Sequence, residues 1–448
     1  MNNHVCVIGA GLCGTLLTIR LAQLGYKVSL FEKRPDMRNV DLDAGRSINL
    51  ALSDRGWKAL RLVGMEDEIR KQVIPMHGRY IHPAEGDGWL SPYSGRTGEH
   101  INSVSRPGLN QALLDKAESY ENVTIRFNHQ CLSVDPARRE VVFKRHQDGD
   151  ESYIEADVIF GTDGAGSAVR RSLFDRSPSI RFNYSQDWLD HGYKELTIPP
   201  APQGGWRLEK NALHIWPRQD FMLIALPNLD GSFTVTLFLG FDGKPGFNQL
   251  QLDEEIKRFF GDVFPSAKEH MPDLVADFRE NPTSSLGTIR CYPWQDKGAV
   301  MLLGDAAHAV VPFYGQGMNC SLEDVVILDE VMKKHGGDWD KVLSEYQQIR
   351  KQDADAIADL AIANYFEMRD HVDNEAFRKK RALEVKLEEK TDYSSKYNLV
   401  TFSEEIPYGE AKRRGNAQDV FLLDFVRDIE DINSVNLSDL YDALAVLK

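Results

Sequence analysis

Gly9, Gly11 and Gly14 stand at G-x-G-x-x-G spacing between a short apolar run, Val5–Ile8, and a stretch of helical periodicity, Thr15–Leu24. In that setting the three glycines serve different ends. The first allows a tight turn, the second lets a pyrophosphate approach the backbone, and the third lets helix and strand pack closely. Leu12 and Cys13 fill the remaining turn positions and offer backbone N–H groups to a phosphate. Glu32 closes a second apolar run, Val28–Phe31, where a carboxylate can accept hydrogen bonds from ribose hydroxyls, and Lys33 and Arg34 follow it. Taken alone, this pattern marks a dinucleotide and leaves FAD and NAD equally open.

A second signature, Gly304–Asn319, lies far along the chain. Asp305 follows the buried run Ala299–Leu303, a place from which a carboxylate can hold a ribityl hydroxyl. Gly315, Gly317 and the backbone of Met318 and Asn319 open a helix. The unsatisfied N–H groups and partial positive charge of such a terminus suit the side of a flavin that becomes negative on reduction. With both ends of one long dinucleotide provided for, the pair points to FAD. Two residues between the signatures are weaker marks. Asp163, in an Asp-Gly turn at a strand end, is a common feature that gains weight as a flavin contact only from its place between the two signatures. Arg106, ahead of a helix over Leu109–Ala117, is within reach of a phosphate or the flavin and equally suits a solvated surface. His308 lacks a second histidine at ligand spacing, so it is read as structural and no metal is expected.

These residues need a scaffold. Strand Val5–Ile8, helix Thr15–Leu24 and strand Val28–Phe31 make a βαβ opening. Ser53 is placed to cap a helix through Trp57, Leu60 and Val63 that stops at Gly64. Residues 83–98 read as loop or hairpin, Asp157–Phe160 as a buried strand, and Ser167–Phe174 as a helix. Ala212–Trp216, Phe221–Leu226 and Phe233–Leu239, separated by turn residues, predict an antiparallel sheet without intervening helices. Beyond Gly317 the pattern is helical almost to the end. The expected fold is α/β: a Rossmann-like FAD-binding domain (1–75, 100–177 and 286–330), an antiparallel β-sheet substrate domain (76–99 and 178–285), and a C-terminal helical domain (331–448).

Composition narrows the partners. A chain of 448 residues with 42% hydrophobic residues is long enough for two or three units with real cores. A net charge of −15 argues against general nucleic-acid binding and anionic membrane surfaces, both of which need basic patches. Five scattered cysteines without C-x-x-C spacing fit free thiols in a reducing compartment. With no leader pattern and no apolar run of the roughly 18 residues that span a bilayer, the expectation is a soluble, cytoplasmic protein without a membrane anchor.

Beyond the cofactor fingerprint stand Gly45–Ser53, Tyr193–Leu196, Asn211–Pro217, Ala225–Asp230, Phe233–Leu239, Val311–Asn319 and Tyr397–Phe402. On these segments, which span nearly the whole chain, it resembles the single-component FAD-dependent aromatic hydroxylases, and most of all their kynurenine-hydroxylating branch. The resemblance implies tightly bound FAD, NADPH and O₂ as co-substrates, and L-kynurenine hydroxylated at ring position 3 through a flavin C4a hydroperoxide. It further implies that Arg79, Tyr93 and Asn364 bind the amino acid's carboxylate, while Phe238, Phe313, Tyr314 and Tyr397 line a slot for the ring. No catalytic acid or base is implied, only positioning by Phe313, Tyr314 and Tyr397. Independently, Ile357, Leu360, Ala361, Asn364 and Met368 share one helical face, so the Asn364 amide needs a partner there. Tyr314 stands where relatives commonly have histidine or phenylalanine, and Lys33 where arginine is frequent. The C-terminal membrane span of eukaryotic members has no counterpart. Two other readings are a hydroxylase of a different aromatic acid and a non-catalytic binding module on the same fold.

Overall fold

The computed structural model describes residues 4–39, 49–146, 149–370 and 375–447. The 45–48 part of the Gly45–Ser53 likeness lies outside them. Val5–Ile8 is apolar on both faces, which suits a strand covered on both sides. It takes a central place in a six-stranded sheet ordered Gln295–Asp296, Val300–Leu302, Val158–Gly161, His4–Ile8, Lys27–Phe31, Val123–Arg126. Every pairing is parallel except the first. Helices Leu12–Gln23, Arg106–Glu118 and Gly317–His335 pack on this unit.

The sharp turn after the first strand needs less chain than the spacing suggested. Gly9 alone makes it, at φ +104°, and the helix begins at Leu12. A Cβ on Gly9 would lie 2.6 Å from the Thr162 carbonyl oxygen, and one on Gly14 would collide with the Gly9 carbonyl, so both positions are closed to larger residues.

A seven-stranded sheet runs Ser284–Tyr292, Asn183–Ile198, Phe233–Gly240, Phe221–Pro227, Ala212–Arg218, Gly78–Ile81, Trp89–Pro92. The three strands expected to pair antiparallel do so, with no helix between them, and the sheet extends beyond them on both sides. Ala212–Arg218 pairs in parallel with Gly78–Ile81, the one non-antiparallel neighbour in the sheet. After these strands, and before Ser284–Tyr292, come helices not expected from the sequence, at Asp253–Val263, Pro265–Lys268 and Leu274–Glu280. They exist because Ile256, Phe259, Phe260 and Phe278 supply an apolar face that covers Leu196, Ile198, Trp216, Leu223 and Leu237 of the sheet. The opposite face carries Ile81, Ile215, Met222 and Phe238 against Phe313, Leu360 and Tyr365. That second face holds the site.

Helices Trp339–Asp370, Glu375–Lys390, Lys396–Thr401, Tyr408–Phe425 and Leu437–Ala445 complete the chain. Leu383, Leu387, Leu422, Val426, Leu440 and Leu444 form a separate apolar cluster among them. Among the described residues no helix is long and apolar enough to cross a membrane.

Behind the site, His82 and His214 make acid the weak point of the sheet. His214 Nε2 donates to the Glu209 carbonyl at 2.9 Å, which leaves its Nδ1 to accept from His82 Nε2, also at 2.9 Å. His82 stacks flat on Trp216, centroids 4.1 Å apart. Burial holds both rings neutral, lowering His82 to about 3 and His214 to about 4. The unfolded chain takes up these protons first, near the ordinary histidine value, so stability falls as pH drops from there toward the folded values. For His214 alone the loss between pH 7 and pH 5 is about 2 kcal/mol. Urea midpoints at the two pH values check this, and His214→Asn should flatten the dependence.

Candidate functional site

At one end of the crevice, helix Leu12–Gln23 starts at Gly11 with no side chain capping its N-terminus. A Cβ on Gly11 would meet nothing within 4 Å, so a lane to those N–H groups is open. Cys13 is buried beside it and Leu12 half-buried. Glu32, at the end of the next strand, is 6% exposed and accepts from the Ala10 N–H at 2.9 Å and from Arg34 Nε at 2.8 Å. Burial works to raise this carboxyl, but the hydrogen bonds and charge of Arg34 outweigh it and hold Glu32 below its usual range. It is therefore an anion at neutral pH, ready to accept further bonds. Lys33 and Arg34 lie on the surface.

Asn110 belongs to this end too and escaped sequence reasoning. Its Nδ2 donates to the Ala10 carbonyl at 3.0 Å, while its buried Oδ1 has no partner among the described residues. An orphaned acceptor beside an uncapped helix start is what a site for a polar ligand would leave.

The other end is built around Gly304–Asn319. Asp305 is the first residue of a short helix following Gly304, and Gly315 turns the chain at φ +66°. Helix Gly317–His335 then starts without any side-chain cap. Its Asn319 side chain, 0% exposed, is spent on the scaffold: Oδ1 accepts from the Ser53 N–H at 2.9 Å, and Nδ2 donates to the carbonyls of Ala51 at 2.8 Å and Gly315 at 2.9 Å. Only the backbone of Met318 and Asn319 is left to face a ligand. Ser53 does occupy the N-cap position of helix Asp54–Leu62, but its hydroxyl pairs with the Gln316 amide instead of capping. Replacing Asn319 by alanine removes three hydrogen bonds, one fully and two partly buried, and should cost about 2–4 kcal/mol; denaturation of the cofactor-free protein measures it.

Two weaker candidates are placed differently. The Asp163 carboxylate caps helix Ala168–Asp175, accepting from the Ser167 hydroxyl at 2.5 Å and the Ala168 N–H at 2.6 Å. Arg106 is exposed and opens helix Arg106–Glu118, three residues earlier than expected. Its charge opposes the effect of burial on Glu195, whose carboxyl is nonetheless pushed up to about 7.

Between sheet and C-terminal helices lies a cavity of about 490 Å³ lined by Arg79, Tyr93, Tyr314, Asn364 and Tyr397, five residues scattered across more than three hundred positions. Tyr397 stacks on Tyr93 at 5.1 Å on one side and on Tyr314 at 5.7 Å on the other. The Arg79 guanidinium sits over the Tyr93 and Tyr397 rings at 5.5 and 5.2 Å and forms no ion pair with a carboxylate among the described residues. Burial raises all three phenols, so they stay neutral donors at any ordinary pH. Asn364 Nδ2 donates to the Phe313 carbonyl at 2.6 Å, giving the amide its expected partner. Phe238 and Phe313 do not line this cavity; they pack on each other at 5.0 Å in the adjoining apolar cluster. Ile81, Ile215, Glu367 and Lys396 also line it and were missed.

Two uncapped helix starts on a parallel sheet, beside a cavity where Arg79 is framed by tyrosines and further charges, Glu367 and Lys396 among them, line the wall, suit the FAD-binding aromatic hydroxylase class. Residues 2–361 match the FAD binding domain family. The fold is shared with the tetrameric form of 2-methyl-3-hydroxypyridine-5-carboxylic acid oxygenase (TM-score 0.68, 20% identity, covering 86% of this chain and 96% of that one). It is shared too with p-nitrophenol 4-monooxygenase from Pseudomonas putida (TM-score 0.67, 18% identity, 94% and 96%). In sequence the chain is 45% identical to the kynurenine 3-monooxygenase of Myxococcus xanthus over 97% of its own length and 93% of the relative's. It is 44% identical to that of Dictyostelium discoideum over 97% and 95%. The chain belongs to the kynurenine 3-monooxygenase family.

Proposed function

We propose that this protein hydroxylates L-kynurenine to 3-hydroxy-L-kynurenine, with FAD as cofactor and NADPH and O₂ as co-substrates. The observation that carries the reading is the Arg79 guanidinium, framed by two neutral tyrosines and forming no ion pair among the described residues, with Glu367 acting on it only from farther along the same wall, in a cavity of amino-acid size. A carboxylate completes it: the guanidinium fork and the Tyr93 and Tyr397 hydroxyls are donors, and an anion is the acceptor that matches them. Asn364 orients the tail from the opposite helix, and Tyr314, with Phe313 and Phe238 behind, confines the aromatic ring.

FAD, when bound, supplies two-electron chemistry, being reduced by NADPH and activating O₂ for transfer of one oxygen atom to the ring. The chain's residues hold it as follows. Gly9, Gly11, Leu12, Cys13 and Gly14 would present backbone to the pyrophosphate, and Glu32 would take ribose hydroxyls. Asp305 would take the ribityl chain, and the Gly315–Asn319 backbone would meet the flavin. The orphaned Asn110 acceptor and the open lane at Gly11 support this fit. No strong protein base is needed, because the aniline nitrogen of kynurenine already enriches the ring; the protein's work is placement and exclusion of water. The division into a discontinuous FAD domain, a substrate sheet and a C-terminal helical domain is part of the same proposal. A cytoplasmic site of action fits five free, buried cysteines.

Incubation with NADPH, O₂ and L-kynurenine should yield 3-hydroxykynurenine by mass and retention time. The decarboxylated analogue of kynurenine should bind at least about 100-fold more weakly. Equal turnover of 4-hydroxybenzoate or anthranilate would instead favour a hydroxylase of another aromatic acid.

A further inference from the structure

Beneath the flavin-side helix runs a continuous line of buried charge that neither the cofactor groove nor the cavity uses. It starts at the Gly304–His308 loop. Asp324 Oδ2 accepts from the Gly304 N–H at 2.8 Å and from His308 Nε2 at 2.7 Å. The other oxygen, Oδ1, accepts from Arg350 Nε at 2.9 Å, and Arg350 Nη1 donates to Glu323 at 2.8 Å. The second Glu323 oxygen accepts from Arg55 Nη1 at 2.5 Å. Arg55 then donates to two backbone carbonyls, of Val400 at 2.9 Å and of Ile406 at 2.5 Å. Val400 belongs to helix Lys396–Thr401, which carries Tyr397. Arg55 and Arg350 are each 1% exposed, Asp324 0%, Glu323 and His308 5%. The Tyr408 ring lies under both guanidiniums, at 3.9 and 5.9 Å.

His308, Cys320 and Asp324 sit close enough to hold a metal ion. Here Arg350 stands where the ion would: its Nη2 donates to the Cys320 carbonyl and meets the Cys320 sulfur, each at 3.1 Å. The cluster is an anchoring point for a guanidinium.

Buried ion pairs of this kind are weak devices for stability, because desolvating the charges offsets most of the attraction, and removing one partner strands the other. What they fix well is geometry. This chain links three segments far apart in sequence, and its two termini are the turn that precedes Asp305 and the segment that bears Tyr397. We propose that Arg55, Glu323 and Arg350 are positioning residues that couple FAD binding to the docking of the 396–408 segment, so that the wall of the cavity forms fully only when the flavin loop is set. The inference rests on membership of the FAD-binding family and not on the identity of the substrate.

Amide hydrogen exchange of the full chain, with FAD removed and then restored to saturation, tests it. In the unsubstituted protein FAD should slow exchange in 396–408 about tenfold or more, a coupling of ordinary allosteric size. In Glu323→Gln, which keeps shape and loses the charge, FAD at saturation should slow it less than about threefold, while protection of 12–23 beside the pyrophosphate lane is regained in full. Arg55→Lys, which keeps the charge and loses the fork, gives a second variant with the same expected loss. No slowing of 396–408 in the unsubstituted protein, or full slowing in either variant, overturns the proposal.

Discussion

Arg79→Ala is expected to raise the dissociation constant for L-kynurenine about 100-fold or more, equivalent to about 3 kcal/mol, while FAD stays bound with unchanged affinity. The magnitude follows from what the cavity lacks. Arg79 is framed by the Tyr93 and Tyr397 rings and forms no ion pair among the described residues, with Glu367 acting on its charge only from a distance, so the ligand's own anion is the group that can meet its fork directly. Without Arg79, a carboxylate entering the cavity meets neutral phenols, an amide and a Lys396 already engaged by Glu367 and Asp419, which together do not replace its lost hydration. Arg79→Lys keeps the charge but not the two-pronged geometry and should fall between, at about tenfold. The decisive control is the decarboxylated analogue: its affinity, already low, should be nearly the same in both proteins, because only the carboxylate reads Arg79. If Arg79→Ala weakened the two ligands equally, its role would be support of the tyrosine stack. Isothermal titration with both ligands, on protein whose flavin absorbance is intact, separates these outcomes.

What could be read from the sequence follows from how local each signal is. The Gly9–Gly14 turn, the flanking strands and Glu32 are specified within about thirty residues of chain, and the structure brings them together around the start of helix Leu12–Gln23. Asp305 and the helix start at Gly317 were readable for the same reason. The cavity was not. Arg79, Tyr93 and Asn364 come from a hairpin strand, the loop behind it and a helix nearly three hundred residues on, and no spacing rule connects them; only likeness to known hydroxylases did. Asn364 alone announced itself, as an amide on an apolar stripe. Glu367 and Lys396, 3.7 Å apart at the cavity wall, look in sequence like two more surface charges. The Arg55–Glu323–Arg350 chain is still less visible, because each residue sits in a helix where a charged side chain is the ordinary expectation. The helices at 253–280 are a different kind of miss: Ile256, Phe259 and Phe260 carry the helical period, and the strong strand pattern before them masks it.

Gly11→Val should leave the folded protein nearly intact and abolish its yellow colour, with FAD affinity reduced at least about 100-fold. The reasoning depends on the difference between three neighbouring glycines. Gly9 has φ +104°, and a Cβ on Gly14 would strike the Gly9 carbonyl, so substituting either attacks the fold itself. Gly11 has φ −77° and ψ −179°, a conformation open to any residue, and a Cβ there meets nothing within 4 Å. The protein has no internal reason to keep glycine at this position. Its one structural cost is a poorer N-cap for helix Leu12–Gln23, about 1 kcal/mol. What the valine would fill is the approach to the uncapped N–H groups, and a pyrophosphate held there loses both its hydrogen bonds and the favourable end of the helix dipole. Thermal unfolding of the cofactor-free proteins should therefore differ by only a few degrees, while titration with FAD, followed by flavin fluorescence, separates them completely. A Gly11→Val protein that retained FAD would place the pyrophosphate elsewhere; one that failed to fold would mean that the open lane at Gly11 is filled by the chain itself.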